Sequence, residues 1–232
     1  MSNKMNSTMK NVRQVIMKAL MVLICVITLM QTGTISAQAA TLNDTSVHFY
    51  QGKTSNCVLD SNVFMLRRKA ILDGHDNWST ITESAVSKVG TTKGSMLNTY
   101  TYKNTSNGFS MTVNAKTIYS MKSNSYKKNS NPVSVKKKLQ SELKAHPEGV
   151  VLYIFNRSST KTVWQHAVLL TKIDGDKFYC LDPGLKNGKE ILLTKSVIAN
   201  SKHARTTSIH EILKYSIKVW YIKTDRNTKI GR

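Results

Sequence analysis

Acidic residues are scarce in this chain: 13 aspartates and glutamates stand against 34 lysines and arginines, giving a net charge of +21. Nucleic acid is the first partner that such a balance suggests. Yet no tight basic cluster interleaved with aromatic residues is present, nor any glycine-rich phosphate loop, so no nucleic-acid role is expected. Long apolar runs are equally rare. The stretch Ala19–Met30 is about a dozen residues, too short to cross a bilayer, and no stable membrane insertion is expected. Metal-ligand clusters are missing as well: His203 and His210 stand seven apart without further ligands, so neither metal nor cofactor is expected. There is no internal repeat and no sign of a second core.

What stands at the start is an export pattern. Lys4, Lys10, Arg13 and Lys18 precede the apolar run with no acid among them, and Ser36-Ala-Gln-Ala-Ala40 ends in small residues. Residues 1–40 therefore read as a signal peptide removed after Ala39 or Ala40, leaving residues 41–232 as one secreted domain. Cleavage lowers the charge from +21 to +17, since four basic residues and no acids leave. For an exported protein, anionic cell-wall polymers or anionic lipid are the fitting partners for that charge, with a purely solubilising role as the alternative for a charge so diffuse. Removal of Cys25 also leaves two cysteines, Cys57 and Cys180, and a disulfide between them is the plain alternative to a reactive thiol.

The chain is organised around Gln51-Gly-Lys-Thr-Ser-Asn-Cys57-Val-Leu-Asp. Leu59, Val63, Leu66 and Ala70 follow at three- and four-residue steps, the stripe of a half-buried helix ending near Asp73-Gly74. Cys57 falls at its first turn, where free N–H groups and the helix dipole favour a thiolate. Upstream, Val47 and Phe49 alternate as in an edge strand. Downstream, Thr80-Ile-Thr-Glu83 reads as a capping box opening a second helix to about Val89. Thr91–Asn131 is rich in Ser, Asn, Lys, Thr and Gly, and reads as a solvated loop region, or alternatively the wall of a substrate cleft, with short strands near Met111–Val113 and Ile118–Tyr119. Asn131-Pro132 opens a third helix. Strands follow at Gly149–Phe155, Trp164–Ile173, Lys177–Asp182, Ile191–Leu193 and Tyr215–Ile222, with turns at Asp174–Asp176 and Asn187-Gly188. Helices first and an antiparallel sheet afterwards indicate an α+β domain.

His166 stands inside an apolar strand, in Trp-Gln-His-Ala-Val-Leu-Leu, and Asp182 closes the next strand before Pro-Gly. The turn between them decides whether they meet. A three-residue turn over 173–175 sets them directly opposite, and one over 174–176 leaves them diagonal on one face. A two-residue Asp-Gly turn puts them on opposite faces, and a bulge also changes the outcome. If they meet, Cys57 can attack a carbonyl, His166 can shuttle its proton and Asp182 can orient the ring. Gln51 and the Cys57 N–H are the candidate oxyanion donors.

This order of residues resembles the papain-like cysteine peptidases, and within them is similar to the bacterial branch related to bacteriocin-processing, double-glycine peptidases. The likeness covers roughly Tyr50–Gly184. It implies a papain-like fold, a Cys57–His166–Asp182 triad and an oxyanion-stabilising Gln51. Members commonly carry Gly-Pro after the cysteine, where this chain has Val58-Leu59, and Asp60 one turn in would oppose a thiolate if it faced the sulfur. The expected function is a secreted cysteine peptidase or amidase acting on a peptide or peptidoglycan-type substrate. The alternative is a secreted binding protein that keeps the fold without the chemistry.

Overall fold

The computed structural model describes residues 42, 47–52, 54–75, 77–104, 109–120, 131–158, 161–186, 188–202 and 205–223. The chain divides into two compact units, 1–42 and 43–232. The expected signal peptide, with Cys25, lies outside the described residues, as does His203.

The stripe after Cys57 folds as α1, Cys57–Leu72. It stops where the sequence indicates: Gly74 takes φ +79°, and the Gly74 and His75 N–H groups reach back to the carbonyls of Ile71 and Ala70. The helix is not half-buried, however. Asp60, Ser61, Asn62 and Arg68 are buried together with Val63, Phe64 and Leu66. Asn62 and Arg68 find partners inside, whereas the side chains of Asp60 and Ser61 have none among the described residues. The Tyr100 hydroxyl donates to Asn62 Oδ1 at 3.0 Å, Asn62 Nδ2 donates to the Val58 carbonyl at 2.8 Å, and Arg68 Nε donates to the Glu148 carbonyl at 2.7 Å.

Before α1, no described residue between 47 and 50 is in a strand, and Val47 is fully buried. After it, a 3-10 turn at Trp78–Thr80 precedes α2, Glu83–Gly90. The cap is Thr82 rather than Thr80: its hydroxyl accepts from the Ala85 N–H at 3.2 Å, while the Thr80 hydroxyl donates to the Asn77 carbonyl.

The region read as a solvated loop is largely sheet. A two-strand ribbon, β1 (Thr91–Thr92) with β2 (Ser95–Met96), leads into β3 (Thr99–Asn104) and β4 (Phe109–Tyr119). Tyr100, Tyr102, Phe109, Met111 and Val113 point inward, and the intervening Ser, Thr and Lys residues gave the stretch its loop-like composition.

Then come α3 (Pro132–Ala145), β5 (Val150–Ser158), β6 (Lys161–Asp174), β7 (Lys177–Leu181), β8 (Ile191–Leu192), the short helices α4 (Val197–Asn200) and α5 (Ile209–Ile212), and β9 (Ser216–Ile222). Seven strands form one antiparallel sheet in the order β3-β4-β9-β5-β6-β7-β8. The fold is α+β, but β3 and β4 precede α3 and dock beside the last strand, so helices and sheet are not segregated along the chain. Val151, Ala167, Leu169 and Trp220 face α1. Leu152, Ile154, Val168 and Leu170 face the opposite layer, where α3, α4 and α5 contribute Leu139, Ile198 and Ile212.

Candidate active site

The β6–β7 connection is a two-residue turn, Gly175-Asp176, closed by the Asp174–Lys177 pair, with Gly175 at φ +57°. By itself this register sends His166 and Asp182 to opposite faces. One extra residue in β6, at Thr171, corrects it: Lys172 pairs with Tyr179, but Leu170 pairs with Cys180 and Leu169 with Leu181. The bulge returns the two side chains to one face on a diagonal. His166 Nε2 lies 2.7 Å from Asp182 Oδ1, and both side chains are buried.

Asp182 is itself held by its surroundings. Its Oδ1 also accepts the Gly184 N–H at 2.8 Å, and its Oδ2 accepts the Val197 N–H at 2.8 Å. The Val197 contact uses a free N–H at the start of α4, a partner that nothing in the sequence signalled. Gly184 has no room for a side chain: a Cβ there would lie 2.9 Å from Val197 Cγ2, 3.1 Å from Asp182 Oδ1 and 3.3 Å from His166 Cε1.

Nε2 is committed to Asp182, and the Cys57 thiol lies close enough to the His166 ring to bear on its pKa. Burial opposes the charged imidazole, but the hydrogen bonds to Asp182 and Cys57, with their charges, outweigh it and raise its pKa to about 9. The alternation of β6 puts His166 with Val168 and Leu170, away from α1. Cys57 and Cys180 are both free thiols. They belong to different cores, one on each face of the sheet, so the disulfide alternative does not form here. Burial pushes the Cys180 thiol well up and leaves it unreactive.

Cys57 is the first residue of α1, so its N–H has no intrahelical acceptor. Asn56 does not cap the helix either; its Nδ2 donates to Glu83 Oε1 at 2.5 Å. Helix formation therefore proceeds with Val58-Leu59 in place of Gly-Pro and leaves uncapped donors beside the thiol. Gln51 is brought to the site by its backbone, whose N–H donates to the Pro183 carbonyl at 2.9 Å. Its side-chain amide is not presented as an oxyanion donor: Nε2 donates to the Thr54 carbonyl at 3.1 Å, and the buried Oε1 has no partner among the described residues. Asp60 is fully buried, neither oxygen is hydrogen-bonded among the described residues, and burial with the Glu83 charge raises its pKa to about 7.

Cys57 opens onto a cleft of about 550 Å³ that His166 does not line. Its helical wall includes Glu83 and Ser87, and its sheet wall includes Tyr153, Gln165, Lys218 and Trp220. No protein-family model, curated protein or solved structure gives a significant match to this chain. Among the described residues, no group of three or more His, Cys, Asp or Glu side chains could hold a metal ion.

Proposed function

We propose that this chain is a secreted cysteine peptidase or amidase with a papain-like fold. The observation that supports the reading is the buried pair in which Asp182 holds the His166 ring at 2.7 Å, with the Cys57 thiol near enough to influence that ring's pKa. The Cys57 sulfur attacks an amide carbonyl, forming a C–S bond as the carbonyl π pair moves to oxygen. His166 takes the thiol proton, and the uncapped start of α1 offers N–H groups to the oxyanion. Collapse breaks the C–N bond, His166 returns the proton to the leaving amine, and water hydrolyses the thioester with His166 as base. Gln51 joins the oxyanion site only by exchanging Thr54 for the substrate oxygen. The export pattern and the basic surface fit a peptide substrate at the cell wall, including peptidoglycan cross-links.

A second reading has an observation of its own. The Gln51 amide is engaged elsewhere and Cys57 is only 7% exposed, features that suit a secreted binding protein retaining the fold without turnover. Incubation with purified peptidoglycan and a mixed peptide pool, read by mass spectrometry for new amino termini, separates the two. The hydrolase releases termini that vanish with Cys57→Ala. A folded protein that cleaves nothing and never accumulates a thioester on Cys57 is the binding protein.

A further inference from the structure

Lys218 stands on the sheet wall of the cleft that Cys57 opens onto. It is half-buried, and its ammonium lies 4.4 Å over the Trp220 ring while donating to Asn98 Oδ1. Neither partner carries a negative charge. Glu83 lines the same cleft, but it receives the Asn56 amide and forms no ion pair with Lys218. By contrast, Lys69, Lys116, Lys136 and Lys214 each reach a carboxylate within 4.0 Å. Burial lowers the Lys218 pKa, as expected for a cation withdrawn from water without a counter-ion. Tyr153, hydrogen-bonded to Gln165, borders the same wall and fixes its shape. An ammonium with no carboxylate partner among the described residues, backed by an aromatic face in the cleft that receives the substrate, is a recognition element for an anion.

We infer that Lys218 selects amide substrates carrying a carboxylate in the portion that occupies this cleft. The inference rests on the cysteine-hydrolase reading, and it names the substrate class: acidic peptides, or peptides with a free carboxyl group near the scissile bond. Trp220 and Asn98 hold the ammonium in place and the carboxylate replaces its lost water.

The test uses two isosteric reagents that alkylate Cys57 with loss of bromide, N-bromoacetyl-glutamate and N-bromoacetyl-glutamine. The full chain should react about fivefold faster with the glutamate reagent relative to the glutamine one than Lys218→Met does, with Lys218→Arg retaining most of the difference. The preference should shrink as salt is raised. A ratio identical in the wild type and a folded K218M protein overturns the inference and makes Lys218 a packing residue over Trp220. The ratio is read whatever the absolute rate, so a Cys57 no faster than a free thiol counts against the hydrolase reading separately. Should K218M fail to fold, protection of Lys218 from reductive methylation in the unaltered chain serves instead. N-acetylglutamate should protect it and N-acetylglutamine should not, and equal protection overturns the inference.

Discussion

Asp182 divides its two oxygens among three partners: the His166 ring, the Gly184 N–H and the Val197 N–H. A substitution there tests orientation and stability together. Asp182→Asn should lower kcat/KM by roughly a hundredfold or more, because the amide cannot stabilise the imidazolium as a carboxylate does. Asp182→Ala should in addition cost about 3 kcal/mol by denaturant unfolding, as two buried N–H groups lose a charged acceptor. His166 has a raised pKa, about 9 in the folded chain against an ordinary 6.5. The protonated ring therefore contributes stability that is complete below pH 6.5 and lost as pH rises through about 9. His166→Ala should flatten the wild-type decline in stability over that window. Asp60 obeys the same sign. Its pKa is raised from 3.8 to about 7, so stability is complete below pH 3.8 and falls as pH rises through 7. Asp60→Asn should gain stability relative to wild type across pH 4–7, with a ceiling of about 4 kcal/mol. Equal pH profiles for the two proteins would show the carboxyl to be solvated or paired.

At the scale of elements, the site depends on one inserted residue. Without the Thr171 bulge, the Gly175-Asp176 turn turns Asp182 away from His166. Deleting Thr171 should abolish activity while leaving the sheet content by circular dichroism nearly unchanged. Gly149→Ala should be costly for a different reason: at φ +100° its Cβ would stand 2.7 Å from the Leu170 carbonyl oxygen. The sequence makes much of this legible. The α1 stripe, its glycine stop, α3 with its Asn131-Pro132 start, and strands β5, β6, β7 and β9 follow from periodicity and turn chemistry. So does the adjacency of His166 and Asp182, though not their facing. A bulge leaves no mark in residue type, since Thr171 is an ordinary strand residue. The strands β3 and β4 were hidden by their polar outward faces, and the burial of α1 by partners from distant segments, Tyr100 and Glu148. The oxyanion role of Gln51 follows from its amide chemistry and the family resemblance, and the local turn with Thr54 draws that amide elsewhere.

For the whole molecule, charge and chemistry separate. The +21 charge is dispersed over the chain, whereas the relay is buried and screened from salt. Adsorption to an anionic polymer matrix should be strong at 10 mM salt and lost by about 1 M, where the Debye length falls to roughly 3 Å. Alkylation of Cys57 by neutral iodoacetamide should change little over the same range. Parallel losses of both would place the thiol's reactivity in the surface field instead of its pairing with His166. The central claim is that pairing, and its most direct measure is the second-order rate of Cys57 alkylation by iodoacetamide at pH 6, compared between the full chain and His166→Ala. The relay requires a rate far above that of a free thiol at this pH, falling to the free-thiol value without the imidazole. A wild-type rate no greater than that of a free thiol, or one indifferent to His166, would contradict it.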